Sequence, residues 1–275
     1  MALEPADDSL LAGHMEPLWE LFHENSKQSV YERHPTFGRH PSDDRVVSVM
    51  RGLRRVKPYT DRLELELPRS WAPARAGLDE VMAGRESARG FGAGSVELAD
   101  LAKVLWMSYG VTRDNEGSPF PRPFRTIPSG GALYPLELYV CAERVEGLDR
   151  GIYHYDAEDH ALDVLRTGLA LDELSRLLVQ WELAQSCAAM VLVSAIFGRS
   201  TFKYGDRGYR FVLIEAGHLA QNAILTAQGA GLSAVPVGGY RDRDVDRYLG
   251  FDGLSESVVY VLLLGTPADD APAAQ

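Results

Sequence analysis

The chain is short of cysteine, of basic charge and of long apolar runs, and each shortage excludes something. Only two cysteines occur in 275 residues, Cys141 and Cys187. Both lie in apolar segments, there is no CxxC, and no Cys/His spacing suits zinc, so both read as buried small hydrophobes. Lysine and arginine number 28 against 39 aspartates and glutamates, giving a formal charge of −11. That balance argues against nucleic acid or an anionic membrane as the main partner, and makes any local basic cluster conspicuous. No stretch approaches the eighteen uninterrupted apolar residues of a membrane span. The opening MALEPADDSLLAG carries acids where a signal peptide needs bases, so a reduced, cytoplasmic, soluble protein is expected. No GxGxxG follows a predicted strand and no GxxxxGK[ST] occurs, which leaves a Rossmann dinucleotide site and a P-loop unsupported.

What remains is an ordinary globular composition, 45% hydrophobic and 24% charged. Residues 1–75 read as an extension. It holds a helix from about Glu16, a loop with two RHP triplets, and a short half-exposed strand in RLELELP. His34 and His40, six apart in that loop, read as solvated or as a metal site. From about 76 to 267 the texture is denser. LDEVMAGRESARGF starts as a helix and enters a basic turn. SVELADLAKVLWMSYGVT predicts an amphipathic helix with Ser95 as N-cap and Leu98, Leu101, Leu105 and Tyr109 at helical spacing. ALYPLELYVCAERV predicts a strand whose start Pro135 confines to an edge or bulge. GIYHYDAEDHALDVLRTG predicts a hairpin and LDELSRLLVQWELAQ a helix. AAMVLVSAIF predicts a strand buried on both faces. YRFVLIEAGHLAQNAILTAQGAG predicts the longest helix, so apolar that it belongs at a domain centre or a subunit interface. LSAVPVGGY predicts a strand ending in a diglycine turn, DVDRYLGF a short helix, and ESVVYVLLLGTP the last core strand. Residues 268–275 read as a disordered tail. Without a regular βαβ rhythm, the order implies an α+β domain: helices around a mainly antiparallel or mixed sheet.

Three stretches carry chemistry. In RESAR, Arg85, Ser87 and Arg89 alternate, so in an extended turn they project to one side. Two guanidinium groups and a hydroxyl there suit a phosphate monoester; a solvated helix end reads equally well. In PSGGALYP, Ser129, Gly130 and Gly131 leave the backbone bare where a planar ring could approach. PVGGY repeats the device with Gly238 and Gly239, followed by Arg241 and Arg243 as further candidates for the phosphate clamp. Glu215 and His218, three apart on the long helix, read as capping a neighbour or satisfying a buried donor, or else as a catalytic acid–His pair. Tyr153, Tyr155, Trp106 and Trp181 read as core.

The motifs RESARGF, LAKVLWMSYGVT, RTIPSGGALYPLELYV, GIYHYDAEDHALDVL, KYGDRGYRFVLIEAGHLAQNAILTAQGAGL, VGGY and ESVVYVLLLGTP resemble, in the same order, those of SagB-type dehydrogenases in the nitroreductase-like flavoenzyme superfamily. The resemblance implies an α+β fold, an intertwined homodimer and FMN at the subunit interface. It implies oxidation of thiazolines or oxazolines to thiazoles or oxazoles in a ribosomally made or carrier-bound peptide. Arg85 and Ser87 would hold the phosphate and Arg89 the N1/C2 edge of the ring. Ser129, Gly130, Gly131, Gly238 and Gly239 would lie along the ring. Lys203 and Tyr204 match the family's Lys-Tyr pair: either Tyr204, made acidic by Lys203, or Lys203, its pKa lowered by desolvation, would take the proton. Many relatives place a basic residue shortly after the last strand to complete the phosphate site; GTPADDAPAAQ has none. The same fold would also serve an NAD(P)H-dependent reductase of nitro, quinone or dehydroamino acid groups, or a flavin-free scaffold. Whether a cyclodehydratase partner is needed, and whether the extension meets a leader peptide, a partner or the dimer, stays open.

Overall fold

The structure is a computed structural model that describes residues 18–27, 44–117, 122–168 and 170–268. In chain order the elements are α1 (Leu18–Asn25), α2 (Asp44–Gly52), β1 (Glu64–Glu66), α3 (Leu78–Ala83), β2 (Val96–Glu97), α4 (Leu98–Tyr109), β3 (Val111–Arg113), β4 (Phe124–Arg125), β5 (Leu136–Ala142), β6 (Val145–Glu146), β7 (Gly151–Asp156), β8 (Ala161–Thr167), α5 (Leu171–Ser175), α6 (Trp181–Ser186), β9 (Ala189–Ile196), α7 (Gly198–Tyr204), α8 (Arg207–Gly229), β10 (Ser233–Val237), α9 (Asp242–Leu249) and β11 (Glu256–Gly265). Seven strands among the described residues make one sheet, ordered β1-β8-β7-β5-β9-β11-β10. Every pairing in it is antiparallel. This is the α+β arrangement that the sequence implies.

The side-chain alternation of the central strands sorts the core into two layers. Leu136, Leu138 and Val140 face one way, onto Leu101, Leu105, Val212, Leu219 and Ala223 of α4 and α8. Tyr139 and Cys141 face the other, with Met190, Leu192 and Leu263, onto Leu171, Leu174 and Val245. That double burial explains why β5 and β9 read as unbroken apolar runs. Both cysteines are free and buried, and burial pushes the Cys141 thiol up to about 12. β1 from the N-terminal segment adds an edge strand to the same sheet, paired with β8.

Several local expectations are corrected. Ser95 caps no helix, because residues 96–97 pair as a strand with 145–146 and α4 starts after Glu97. Pro135 imposes neither edge nor bulge: β5 is central and begins one residue later, where the missing N–H is not needed, and the Pro135 carbonyl accepts a hydrogen bond from the Ile196 N–H at 2.9 Å. Residues 171–185 form two short helices, α5 and α6, because Leu178 between them bridges to Tyr240. Trp181 is 45% exposed and is not core, whereas Tyr153 and Tyr155 are. α2 was not expected at all; its signal is the apolar pair Val46 and Met50, four apart, both buried against Leu133. The RHP loop with His34 and His40, and residues 269–275, lie outside the described residues.

The layer containing Tyr139 carries a polar stripe. Glu137 on β5 pairs with Arg199 of α7 at 2.6 Å and with His154 Nε2 at 2.8 Å, and His154 Nδ1 meets Asp163 on β8 at 3.0 Å. Burial opposes charge on both Glu137 and His154, yet the partners outweigh it, lowering the Glu137 pKa and raising that of His154. Further along the face, Ser194 and Tyr139 donate to Glu256, which also pairs with Lys57. Buried ions of this kind hold position only while every partner is present. Glu137→Gln strips the charge between Arg199 and His154, both almost fully buried. It is expected to cost about 3–5 kcal/mol of unfolding free energy, read from urea denaturation.

Candidate active site

The turn 128–134 is built around left-handed backbone. Gly131, Ala132 and Tyr134 have φ of +67°, +53° and +46°. L-residues other than glycine adopt this region at a cost, and such strain clusters at functional sites. The turn is held from below. The Ser129 hydroxyl accepts from the Tyr134 N–H at 2.9 Å, and the Tyr134 hydroxyl accepts from the Arg125 N–H at 3.0 Å. Behind Ser129 lies Glu215 of α8, buried, which Tyr109 approaches at 3.5 Å while also accepting from the Leu136 N–H at 3.0 Å. Burial raises the Glu215 pKa to about 8, against the opposing effects of the Ser129 hydrogen bond and the Arg125 charge. The carboxyl thus satisfies buried donors, and His218 one turn on is exposed.

Lys203 and Tyr204 end α7, and their polar heads converge on this turn. A Cβ placed on Gly131 would stand 2.6 Å from Tyr204 Oη and 2.7 Å from Lys203 Nζ. Gly130 lies against Phe211 and the Tyr204 ring, which themselves meet edge-on at 5.0 Å. Position 131 therefore demands glycine twice over, for its backbone conformation and for its space. Met50 of α2 closes the other side, its Sδ 4.0 Å from Lys203 Nζ. Burial lowers the Lys203 pKa and raises that of Tyr204. Burial thus disfavours the charged form of each group, the Lys203 ammonium and the Tyr204 phenolate. Beside the turn opens a cavity of about 760 Å³.

The other predicted residues sit elsewhere. Arg85 and Arg89 are exposed and Ser87 half-buried on a loop beside the edge strand β10, where the Ala88 N–H donates to the Ala234 carbonyl at 3.1 Å. Gly238 follows the same strand and opens onto free space, whereas Gly239 is closed by Val179. The loop and the diglycine thus share one sheet edge, four residues apart, or about 13 Å. Arg241 and Arg243 lie beyond the far end of β10 from Ala88, away from the basic loop. The two halves are separated along α8. Gly84, preceding Arg85, packs on Gln228, while Gly130 packs on Phe211. Seventeen helical residues between those contacts span about 25 Å. Sequence reasoning missed Arg113 and Arg125 at the cavity, and Arg199 in the first turn of α7; an arginine directly before the TIPSGG turn was the available signal.

Comparison with known proteins follows the same lines. Residues 82–266 match the model of the Nitroreductase family. MJ1384 of Methanocaldococcus jannaschii, a protein named as a nitroreductase, is 33% identical over 189 residues, covering 69% of this chain and 90% of that protein. The microcin B17-processing protein McbC of Escherichia coli is 35% identical over 153 residues, 53% of this chain and 56% of McbC. Among solved structures, one chain of the E. coli microcin synthetase McbBCD complex with truncated pro-MccB17 superposes with a TM-score of 0.58 at 22% identity, over 97% of this chain and 99% of that one. At that identity the likeness is one of fold.

Glu215 provides a test of the buried turn. A carboxyl whose folded pKa stands above its unfolded value stabilises fully below the unfolded value and loses that contribution as pH rises through the folded one. Wild-type protein is thus expected to lose thermal stability between about pH 4.5 and pH 8. Glu215→Gln shrinks that loss, as measured by Tm across the range.

Proposed function

Since the chain belongs to the nitroreductase family and is an oxidoreductase, we propose that it uses FMN to oxidise azoline rings to azoles in a peptide natural product. The observation that carries this reading is the convergence of Lys203 Nζ and Tyr204 Oη on a glycine that has no room for a Cβ. The relatives include a peptide-processing protein, and the motifs resemble the SagB-type dehydrogenases.

The residues suit the cofactor. Gly130 and Gly131 leave a bare backbone for a flat ring, the exposed Arg85 with Ser87 offers donors for a phosphate, and Arg89 a cation for the N1/C2 edge of the ring. The Ser129 hydroxyl is engaged within the turn, so a ring there would meet main chain. Gly238 gives a second bare approach on the edge that carries the basic loop. One chain cannot offer both halves to one flavin, since about 25 Å of α8 exceeds the length of the molecule. A homodimer resolves this: one subunit supplies the basic loop and Gly238, its partner the 128–131 turn and the Lys-Tyr pair. The exposed face of α8, with Leu213 42% and Ile214 56% accessible, offers an apolar surface for such pairing.

FMN bound there would supply the two-electron acceptor for the hydride, with oxygen as the oxidant that regenerates it. Everything else falls to side chains. Dehydrogenation also releases a proton from the neighbouring ring carbon, and Lys203, whose pKa burial lowers, takes it at Nζ. Tyr204, its pKa raised, keeps its proton and donates a hydrogen bond to the ring being oxidised. The 2.6 Å pair between Arg199 and Glu137 anchors the start of α7 and so fixes where both heads point. A peptide-bound substrate implies a cyclodehydratase upstream, because an azoline must first be closed.

Purified protein is expected to be yellow and to yield a product two mass units lighter than its azoline substrate. Lys203→Ala and Tyr204→Phe should retain flavin and lose turnover at least about a hundredfold, the scale of general acid–base catalysis. In the wild type, kcat/KM should rise with pH to a plateau below the ordinary lysine pKa of about 10.4. Tyr204→Phe keeps that limb and Lys203→Ala removes it. Unchanged rates in both variants refute the assignment. A reductase reading rests on the nitroreductase name of MJ1384, and rapid bleaching of the flavin by NADPH without peptide would place the chain there instead.

A further inference from the structure

The cavity beside the turn carries a local positive charge in an acidic chain. Its wall, apart from the turn itself, is Thr112, Arg113, Phe124, Arg125, Thr126 and Ile127. It therefore contains two arginines and no carboxylate, in a chain of net charge −11. Neither arginine is neutralised by an ion pair among the described residues. Arg113 is exposed and its guanidinium stacks on Phe124 at 4.7 Å. Arg125 is buried, held between the rings of Tyr109 and Tyr134 at 4.2 and 5.2 Å, and uses Nη2 to donate to the Arg55 carbonyl at 3.0 Å. Stacking fixes the orientation of a guanidinium while leaving edge donors available. Thr126 adds a hydroxyl that is buried without a hydrogen-bond partner. Such a group in a native structure needs a partner, which a water or a ligand supplies.

We infer that this cavity is the substrate's anionic subsite, in which Arg113, Arg125 and the Thr126 hydroxyl receive a carboxylate of the peptide carrying the ring to be oxidised. The inference rests on the peptide-oxidation reading and extends it to substrate choice. Three observations favour a peptide carboxylate. The cavity, at about 760 Å³, is within the range that holds a small organic ligand or a short peptide segment. Its arginines alternate with apolar side chains, as suits a carboxylate set on a hydrophobic backbone. It borders Gly131, where the Lys203 and Tyr204 heads converge, so a carboxylate seated there places the adjoining ring beside them. On the same reading the flavin phosphate has its own donors in Arg85 and Ser87. Glu215, behind the turn, is no counter-charge at neutral pH, since burial keeps it protonated. The carboxylate comes either from the peptide C-terminus or from an aspartate or glutamate next to the ring.

Calorimetric titration of the flavin-loaded protein decides the matter with three probes: 2-(acetamidomethyl)thiazole-4-carboxylic acid, its primary carboxamide, and its amide with the amino group of glutamic acid α-amide (the glutamyl amide), whose γ-carboxylate is free. A charge-assisted contact is worth about 1.5–3 kcal/mol, or roughly 10- to 100-fold in Kd. The free acid is expected to bind at least about tenfold tighter than the primary carboxamide if the C-terminus is read, and the glutamyl amide if a side chain is read. Arg113→Gln, on the exposed rim, should abolish that preference while keeping its flavin; Arg113→Lys should restore part of it. Equal binding of all three probes overturns the inference and leaves the peptide reading standing. Binding of none overturns both. Loss of flavin from Arg113→Gln assigns the arginine to the cofactor and overturns the inference as well.

Discussion

A helix of 23 residues is a rigid spacer, and α8 holds apart the two regions that the proposed chemistry needs. At its N-terminal end stand Phe211 and the glycine turn; at its C-terminal end stand Gln228 and the basic loop. A helix lengthens by about 1.5 Å per residue and cannot fold back to join its ends. A single ligand touching both regions must therefore bridge two chains. The apolar character of α8 fits that arrangement. Its inner face packs on the sheet, and its outer face leaves Tyr209, Leu213 and Ile214 accessible.

The second constraint is the buried polar stripe. Charges are costly inside a sheet layer, and these are arranged so that each has an opposite partner. Asp163, His154, Glu137 and Arg199 run from β8 across β7 and β5 to the first turn of α7. Five residues after Arg199 the same short helix ends in Tyr204. The stripe thus ties the Lys203 and Tyr204 heads to the central sheet. Met50 of α2 then covers Lys203, and that cover contributes to the desolvation that lowers its pKa. The N-terminal segment takes part in the architecture twice, through β1 at the sheet edge and through α2 over α7.

Elements whose pattern reports burial were legible in the sequence. The hairpin β7–β8, the doubly buried β9, the long α8 and the diglycine after β10 stand where their periodicity placed them. Boundaries set by tertiary contacts were not. Ser95 resembles an N-cap, but nothing local reveals that residues 96–97 pair with a distant strand. Residues 171–185 have helical spacing throughout, and only the long-range bridge of Leu178 to Tyr240 interrupts them. At the site, glycine content marked the turn, and the Lys-Tyr pair was visible as a motif. Its direction was not: whether Lys203 or Tyr204 is the better base depends on burial, which no spacing encodes. Charged residues inside apolar strands, such as Glu137 in PLELYV and His154 in GIYHYD, were the readable trace of the polar stripe. A charge in a strand that is otherwise fully buried has to find its partner across the sheet.

The central claim, that each flavin site takes one half from each of two subunits, is tested most directly by mixing defective chains. Arg85→Ala/Arg89→Ala lacks the basic half, and Gly131→Val lacks the turn. Each protein alone has every site damaged. Refolded or co-expressed together, they form mixed dimers in which one site receives an intact basic loop from one chain and an intact turn from the other. The account predicts that tight FMN binding, followed by flavin absorbance after gel filtration, returns in the mixture. If the mixture binds no more flavin than the two variants apart, the shared site is contradicted.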